Sequence, residues 1–427
     1  MKKTKKDDLT VNSTIVFILT TIGSGINYLC QILMGRLFSV ENYGIINTIF
    51  SLTLIITVVG NTAFMLLSKS IAKKSKNRYA QYKYILKLVN ISSVVICFLS
   101  VIMYPILNKL LGKDIITIIL TVICLITSIY PILYQGVFGG VNKFAKLGLY
   151  TLIIPIIKVI GLLLVALLDI HGALELYFVI ISIIFGNIIA IVIAMLASKK
   201  YLIKDSKKEI DNLKIRNEYL GILVVNCLLM FLMNLDVLSL NYFYDTNTVG
   251  LYSSVLVFGK MIYYFVTALV TVMLPMISKN EKNKEYATKM LYRTLIYTAI
   301  LTIIVLIPTN IFAKNILQII FGNKYNGAYQ YMKYASIICL SYSLNMIVLN
   351  FLVGINKTKF IKNTFIVGIL IAVILLIIFN NNQYISLLII AGVNLVIFIS
   401  NITNIYFREV RSNEQKGRKT VSRNALL

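Results

Sequence analysis

Apolar residues run in blocks of about twenty along almost the whole chain, separated by short polar connections. A bilayer core of about 30 Å needs helices of about that length, and lipid supplies no partners for backbone N–H and C=O groups, so the pattern predicts spanning helices rather than strands. Twelve spans are expected, at residues 14–33, 43–67, 88–107, 115–137, 149–168, 176–197, 220–243, 249–277, 291–312, 335–353, 365–379 and 385–406. The fold class is therefore all-α integral membrane.

Composition strengthens this reading. Hydrophobic residues make up 58% of the 427 positions and charged ones 14%, and the mean hydropathy is +0.84, too apolar for a water-soluble domain. A net charge of +26 would suggest nucleic acid in a soluble protein. Here the basic residues concentrate in alternate loops, as expected when cytoplasmic loops retain Lys and Arg. The opposite face keeps only Arg36, Lys109, Lys113, Lys314, Lys324 and Lys333, and Lys158 and Lys260 fall inside spans. The orientation expected is a multi-pass protein of a bacterial cytoplasmic membrane with both termini inside and no nucleic-acid partner. The first apolar segment follows Lys2, Lys3, Lys5 and Lys6, is a full span long and lacks a small-residue cleavage site, so it reads as a retained helix. Five cysteines lie in apolar stretches without metal-site spacing, which predicts neither disulfides nor zinc.

The chain repeats weakly. Gly140-Val141-Asn142-Lys143 recurs as Gly354-Ile355-Asn356-Lys357, Leu111-Gly112-Lys113 as Phe321-Gly322-Asn323, and Tyr43-Gly44-Ile45 as Val249-Gly250-Leu251. Three matches in one order at equivalent helices predict a duplicated six-helix unit. Because six is even, the halves share one orientation and are related by a pseudo-two-fold along the membrane normal. The expected organisation is a six-helix bundle over 1–198, a basic cytoplasmic linker over 199–217, a second bundle over 218–406 and a basic tail over 407–427.

Gly35-Arg36-Leu37-Phe38-Ser39-Val40-Glu41-Asn42-Tyr43-Gly44 resembles the signature of Wzx-type polysaccharide flippases, in the multidrug/oligosaccharidyl-lipid/polysaccharide exporter superfamily. Asn234-Leu235-Asp236, Val249-Gly250-Leu251-Tyr252-Ser253 and Phe321-Gly322-Asn323-Lys324-Tyr325-Asn326-Gly327-Ala328 look similar to further patterns of that family. The first motif departs from it in having Ser39-Val40 where Gly-Pro is common. The resemblance implies alternating-access transport of an isoprenoid-pyrophosphate-linked oligosaccharide repeat unit to the outer leaflet, for cell-surface polysaccharide assembly. It also implies a lipid-linked glycan and membrane lipid as partners, with a polysaccharide polymerase or export machinery as a candidate contact.

Such a passenger carries two phosphates and many hydroxyls, so its pathway needs cations and hydrogen-bonding side chains at membrane depth. Lys158 and Lys260 are the cations expected to line a cavity, against the alternatives of snorkelling or a structural ion pair. Arg36 either guides phosphate or pairs with Glu41. Gly23, Asn27 and Gln31, spaced by four, form a polar stripe on the first span. Asp236, beside Asn234 and Ser239, either pairs with a cation such as Lys260, binds a coupling Na⁺ or H⁺, or accepts sugar hydroxyls. Asn27, Gln31, Asn234 and Tyr264, the last on the face of Lys260, are candidates for the polar pathway or ion coupling, although as ring-stacking residues Tyr134, Tyr263 and Tyr264 fit helix packing better than sugar stacking. His171, with Asp169 and Glu175, reads as an exposed outer turn, and no metal, cofactor or catalytic site is expected. No phosphate-binding Gly-rich loop with Lys-Ser/Thr appears, so the chain does not read as an ATPase.

Competing readings are a multidrug or cation exporter, or a peptidoglycan-precursor flippase, of the same superfamily. A polysaccharide polymerase or other membrane enzyme is less favoured, because the longest outer connection, around 313–334, carries no His or acidic pair.

Overall fold

The computed structural model describes residues 5–72, 78–112, 114–141, 143–202, 212–279, 284–355 and 359–424. Among them the regular structure is entirely helical: α1 (Lys5–Leu37), α2 (Val40–Ala72), α3 (Arg78–Ile102), α4 (Tyr104–Leu110), α5 (Ile115–Gly140), α6 (Phe144–Leu167), α7 (Ala173–Ser198), α8 (Asn212–Phe243), α9 (Thr246–Lys279), α10 (Lys284–Ile311), α11 (Ala313–Phe321), α12 (Met332–Gly354), α13 (Lys359–Ile378) and α14 (Gln383–Asn424). Eleven helices are long and apolar enough to cross a membrane among the described residues, and α9, at 34 residues, is a further long helix.

Several boundaries differ from the expected ones for local reasons. The third span starts at Arg78 and stops at Ile102, because Pro105 lacks an N–H donor and instead occupies the first turn of the short α4. The connection around 313–334 is built from α11 and two 3₁₀ turns, Asn323–Tyr325 and Ala328–Tyr331. The basic tail continues α14 as helix to Asn424. Residues 203–211 of the expected linker lie outside the described residues.

The short α4 and α11 are counterparts under the sequence repeat, and each ends at a glycine with left-handed φ, Gly112 at 77° and Gly322 at 89°. A Cβ is strained in that conformation, which is why both copies of the repeat hold glycine there.

The chain packs into two compact units, residues 1–257 with 314–328, and residues 258–313 with 329–427. In the first, α2 packs along α5 and α8, α1 along α6, and α7 against α5 and α6. Its core includes Val59, Leu67, Ile85, Val89, Leu133, Val137 and Tyr219. In the second, α14 packs between α12 and α13, and α10 lies on α12. There Asn345 Nδ2 donates to the Asn394 carbonyl at 2.8 Å, and Asn401 Nδ2 donates to Thr364 Oγ1 at 3.0 Å, satisfying polar groups that hydrocarbon could not. Outward apolar side chains are the rule on lipid-facing helices, as at Val94 and Val101 of α3, 69% and 70% exposed.

Candidate functional site

The family-like motifs converge on one junction inside the first unit. α1 ends at Leu37, and α2 restarts three residues later with Ser39 as its cap, its hydroxyl accepting the Asn42 N–H at 3.1 Å. At the equivalent restart, Asp245 Oδ1 accepts the Thr248 N–H at 2.6 Å ahead of α9. The Ser-Val departure from the family pattern thus supplies a helix cap.

The two restarts pack on each other through glycine. A Cβ on Gly44 would lie 2.1 Å from the Thr246 carbonyl oxygen, and one on Gly250 would lie 1.9 Å from that of Val40. The contacts exchange equivalent residues, Gly44 with Gly250 and Val40 with Thr246, so the repeated halves meet here in a local two-fold relation.

Charge reinforces the same place. Arg36 at the end of α1 donates from Nε to the Ile320 carbonyl at 2.7 Å and from Nη2 to that of Ile319, neutralising the C-terminal carbonyls of α11. Lys324, just beyond α11, returns the favour by donating to the Arg36 carbonyl at 2.8 Å and to that of Phe38, at the end of α1. Each helix end is therefore held by a cation from beside the other. Burial lowers the Lys324 ammonium below the usual lysine range, and nearby Glu175 opposes that shift. Tyr43, Phe321 and Tyr325 close the junction as an aromatic cluster with centroids 5.4–6.1 Å apart.

Glu175 is 2% exposed, unlike the exposed turn expected for it, and accepts from Asn42 Nδ2 and from the Ser39 N–H at 3.4 Å. His171 does stay exposed, 2.9 Å from Asp169. Asn42, Glu175, Lys324 and Asn241, whose Nδ2 donates to the Leu110 carbonyl at 2.9 Å and to Thr48, were not singled out by spacing. A polar side chain abutting a helix end in each repeat was the available signal.

Lys158 sits elsewhere in the same unit. On α6, it is 6% exposed, with its ammonium 4.3 Å from the centre of the Phe50 ring on α2, and Cys30 of α1 and Cys124 of α5 lie within electrostatic reach. It faces the interior of the helix bundle. Asn27 and Asn234 bond back to their own helices, at Gly23 and Met230, 3.3 and 2.8 Å away. Gln31 Oε1 accepts the Tyr43 hydroxyl at 3.4 Å. Asp236, 1% exposed, accepts the Tyr252 hydroxyl at 2.6 Å and the Val237 N–H at 2.8 Å. In the second unit, Lys260 is half-buried on α9, Tyr263 packs edge-on against Tyr342 at 6.3 Å, and the side chain of Tyr264 lies outside what is described. Tyr134 packs in the first unit's core beside Tyr82. Among the described residues no group of His, Cys, Asp or Glu could hold a metal ion.

A family profile described as "Polysaccharide biosynthesis protein" matches residues 33–330, well over half the chain. The chain belongs to that family. No curated protein matches the sequence. Solved structures share the fold at low identity. The lipid II flippase MurJ in an inward closed conformation has a TM-score of 0.71 at 16% identity, covering 92% of this chain and 87% of that one. An inward-facing multidrug resistance MATE family transporter of the MOP superfamily has 0.70 at 12% identity, covering 92% and 96%. A MOP superfamily transporter from Pyrococcus furiosus, described as having a binding pocket of reverse polarity, has 0.65 at 12% identity, covering 94% of both. This member of the polysaccharide biosynthesis family is a multi-pass membrane protein with the fold of these transporters.

Proposed function

We propose that this protein is a flippase moving an isoprenoid-pyrophosphate-linked oligosaccharide from the inner to the outer leaflet of a bacterial cytoplasmic membrane. The single observation that carries the reading is Lys158, a cation held inside a transporter bundle at a depth where charge is expensive. An anionic passenger supplies a reason to keep it there, and membership of a polysaccharide biosynthesis family supports a glycan lipid as that passenger. Lys260 is proposed as a second cation on the path. Asp236 is proposed as a coupling group for Na⁺ or H⁺, or as an acceptor for sugar hydroxyls.

In this reading two halves, 1–198 and 218–406, alternate access to a shared path, and the glycine junction is the contact that must part for release. The isoprenoid tail stays in lipid, where burial in protein would gain nothing. Both termini face the cytoplasm, and a polymerase or export machinery receives the product.

The test is leaflet transfer of a fluorescent isoprenoid-pyrophosphate oligosaccharide in proteoliposomes. Lys158→Met should reduce transfer at least about tenfold, as expected for losing a charge-assisted phosphate contact, while leaving insertion intact. Transfer at the native rate would refute the site. A cation exporter is the second reading, and efflux of a lipophilic cation with no glycan-lipid transfer would establish it instead.

A further inference from the structure

The outer surface of α3 carries a groove of about 740 Å³ lined by Lys83, Lys87, Asn90, Ile91, Val94 and Val95, among others. These positions follow helical spacing and form one stripe, while Ile85, Val89 and Ser93 on the opposite side are buried against the unit's core. Polarity changes along the stripe. The lysines stand at the end nearest the basic connection before α3, and the apolar positions follow toward the middle of the span. Ile91, Val94 and Val95 are 51%, 69% and 48% exposed, so lipid is their neighbour.

Among the described residues no carboxylate lines the groove, and neither lysine forms an ion pair. The side chain of Asn90 accepts the Tyr130 hydroxyl at 3.1 Å through Oδ1, leaving its amide N–H₂ at the charged end. From Lys83 to Val95 is twelve residues, about 18 Å of helix, against about 15 Å for one leaflet's hydrocarbon. The groove thus offers two cations and an amide donor at its charged end, and beyond them an apolar wall from Ile91 to Val95, about 6 Å along the helix, against which the first part of an acyl chain can lie.

We propose that this groove binds an anionic phospholipid of the surrounding bilayer, its phosphate held between Lys83 and Lys87 and one acyl chain along Ile91, Val94 and Val95. The bilayer's own lipid is favoured over the glycan-linked passenger because a sugar headgroup would need a polar wall, and the lining beyond the charged end is apolar. The proposal stands apart from the transport reading and does not require it.

The chain contains no Trp, so one introduced Trp is a clean reporter. Phe98→Trp places it one turn past Val94 on the same face, where Phe98 is 65% exposed. Ile304→Trp on α10, 63% exposed, serves as a reference. With full-length protein in vesicles, phosphatidylglycerol with brominated chains should quench the Phe98→Trp variant at a lower mole fraction than brominated phosphatidylcholine, with no such preference at Ile304→Trp. Adding Lys83→Gln and Lys87→Gln should weaken the preference roughly thirtyfold, from about 1 kcal/mol per lysine near a charged lipid surface. The same charge change at Lys359 and Lys362 should leave it intact. Equal quenching by both lipids, an effect of Lys359 and Lys362 matching that of Lys83 and Lys87, or displacement of phosphatidylglycerol by an isoprenyl phosphate at equimolar amounts would each overturn the proposal.

Discussion

Arg36 and Lys324 at the junction and Lys158 within the bundle are all cations of one unit, yet they meet different partners. The junction pair is spent on backbone carbonyls at helix ends, 2.7 and 2.8 Å away, where partial negative charge awaits any nearby cation. Lys158 meets the face of Phe50 at 4.3 Å, in the middle of α6 and away from either end of that helix. Excess positive charge is therefore not one property. At helix ends it fastens the fold, and at mid-helix it lies inside the bundle against an aromatic ring.

The largest effect that would break this comparison is steric. Gly250→Leu sets a side chain against the Val40 carbonyl and should lower stability by about 3 kcal/mol or more in thermal unfolding, whereas Gly221→Ala, with nothing within 4 Å, should leave it unchanged or raise it by about 0.5–1 kcal/mol. Equal transitions for the two would show that the halves do not meet through glycine. Next comes Lys158→Met, expected to abolish most transfer yet hold stability within about 1 kcal/mol, since a buried charge gives way to an apolar chain of similar length. A large loss of stability would move Lys158 into the structural class.

Asp114 gives a pH-dependent case at the other end of the repeat. Partial burial raises its carboxyl, but bonds from the Thr117 side chain, the Tyr177 hydroxyl and the Thr117 and Ile116 N–H groups outweigh that and hold it below the usual value. Its contribution is then present above the unfolded carboxylate value and lost as pH falls through the lower folded one. Asp114→Ala should cost about 1 kcal/mol as a lost helix cap, with the difference from the native protein shrinking under acid titration. A difference that grows toward acid would contradict this sign. The smallest effects belong to Arg36→Gln and Lys324→Gln, each about 0.3–1 kcal/mol and weakened by salt; a loss of transfer with unchanged stability would place either residue on the path instead.

Spans were legible because bilayer thickness imposes a minimum apolar length on every crossing helix, and the repeat motifs stood out because paired glycines persist where a side chain cannot fit. Glu175 was misread as exposed since its burial depends on Asn42, 133 positions away in the chain. Arg36 had been offered phosphate or Glu41 as partners; neither reading considered the carbonyls of Ile319 and Ile320, which lie 283 and 284 positions distant.

Hydropathy alone determined an all-helical membrane chain, because solvation in lipid acts on each segment independently of the others. Which cation fastens a helix end and which faces the bundle interior was decided only by tertiary packing. That choice depends on carbonyls, rings and glycines brought together from distant parts of the chain, and no local pattern encodes their meeting.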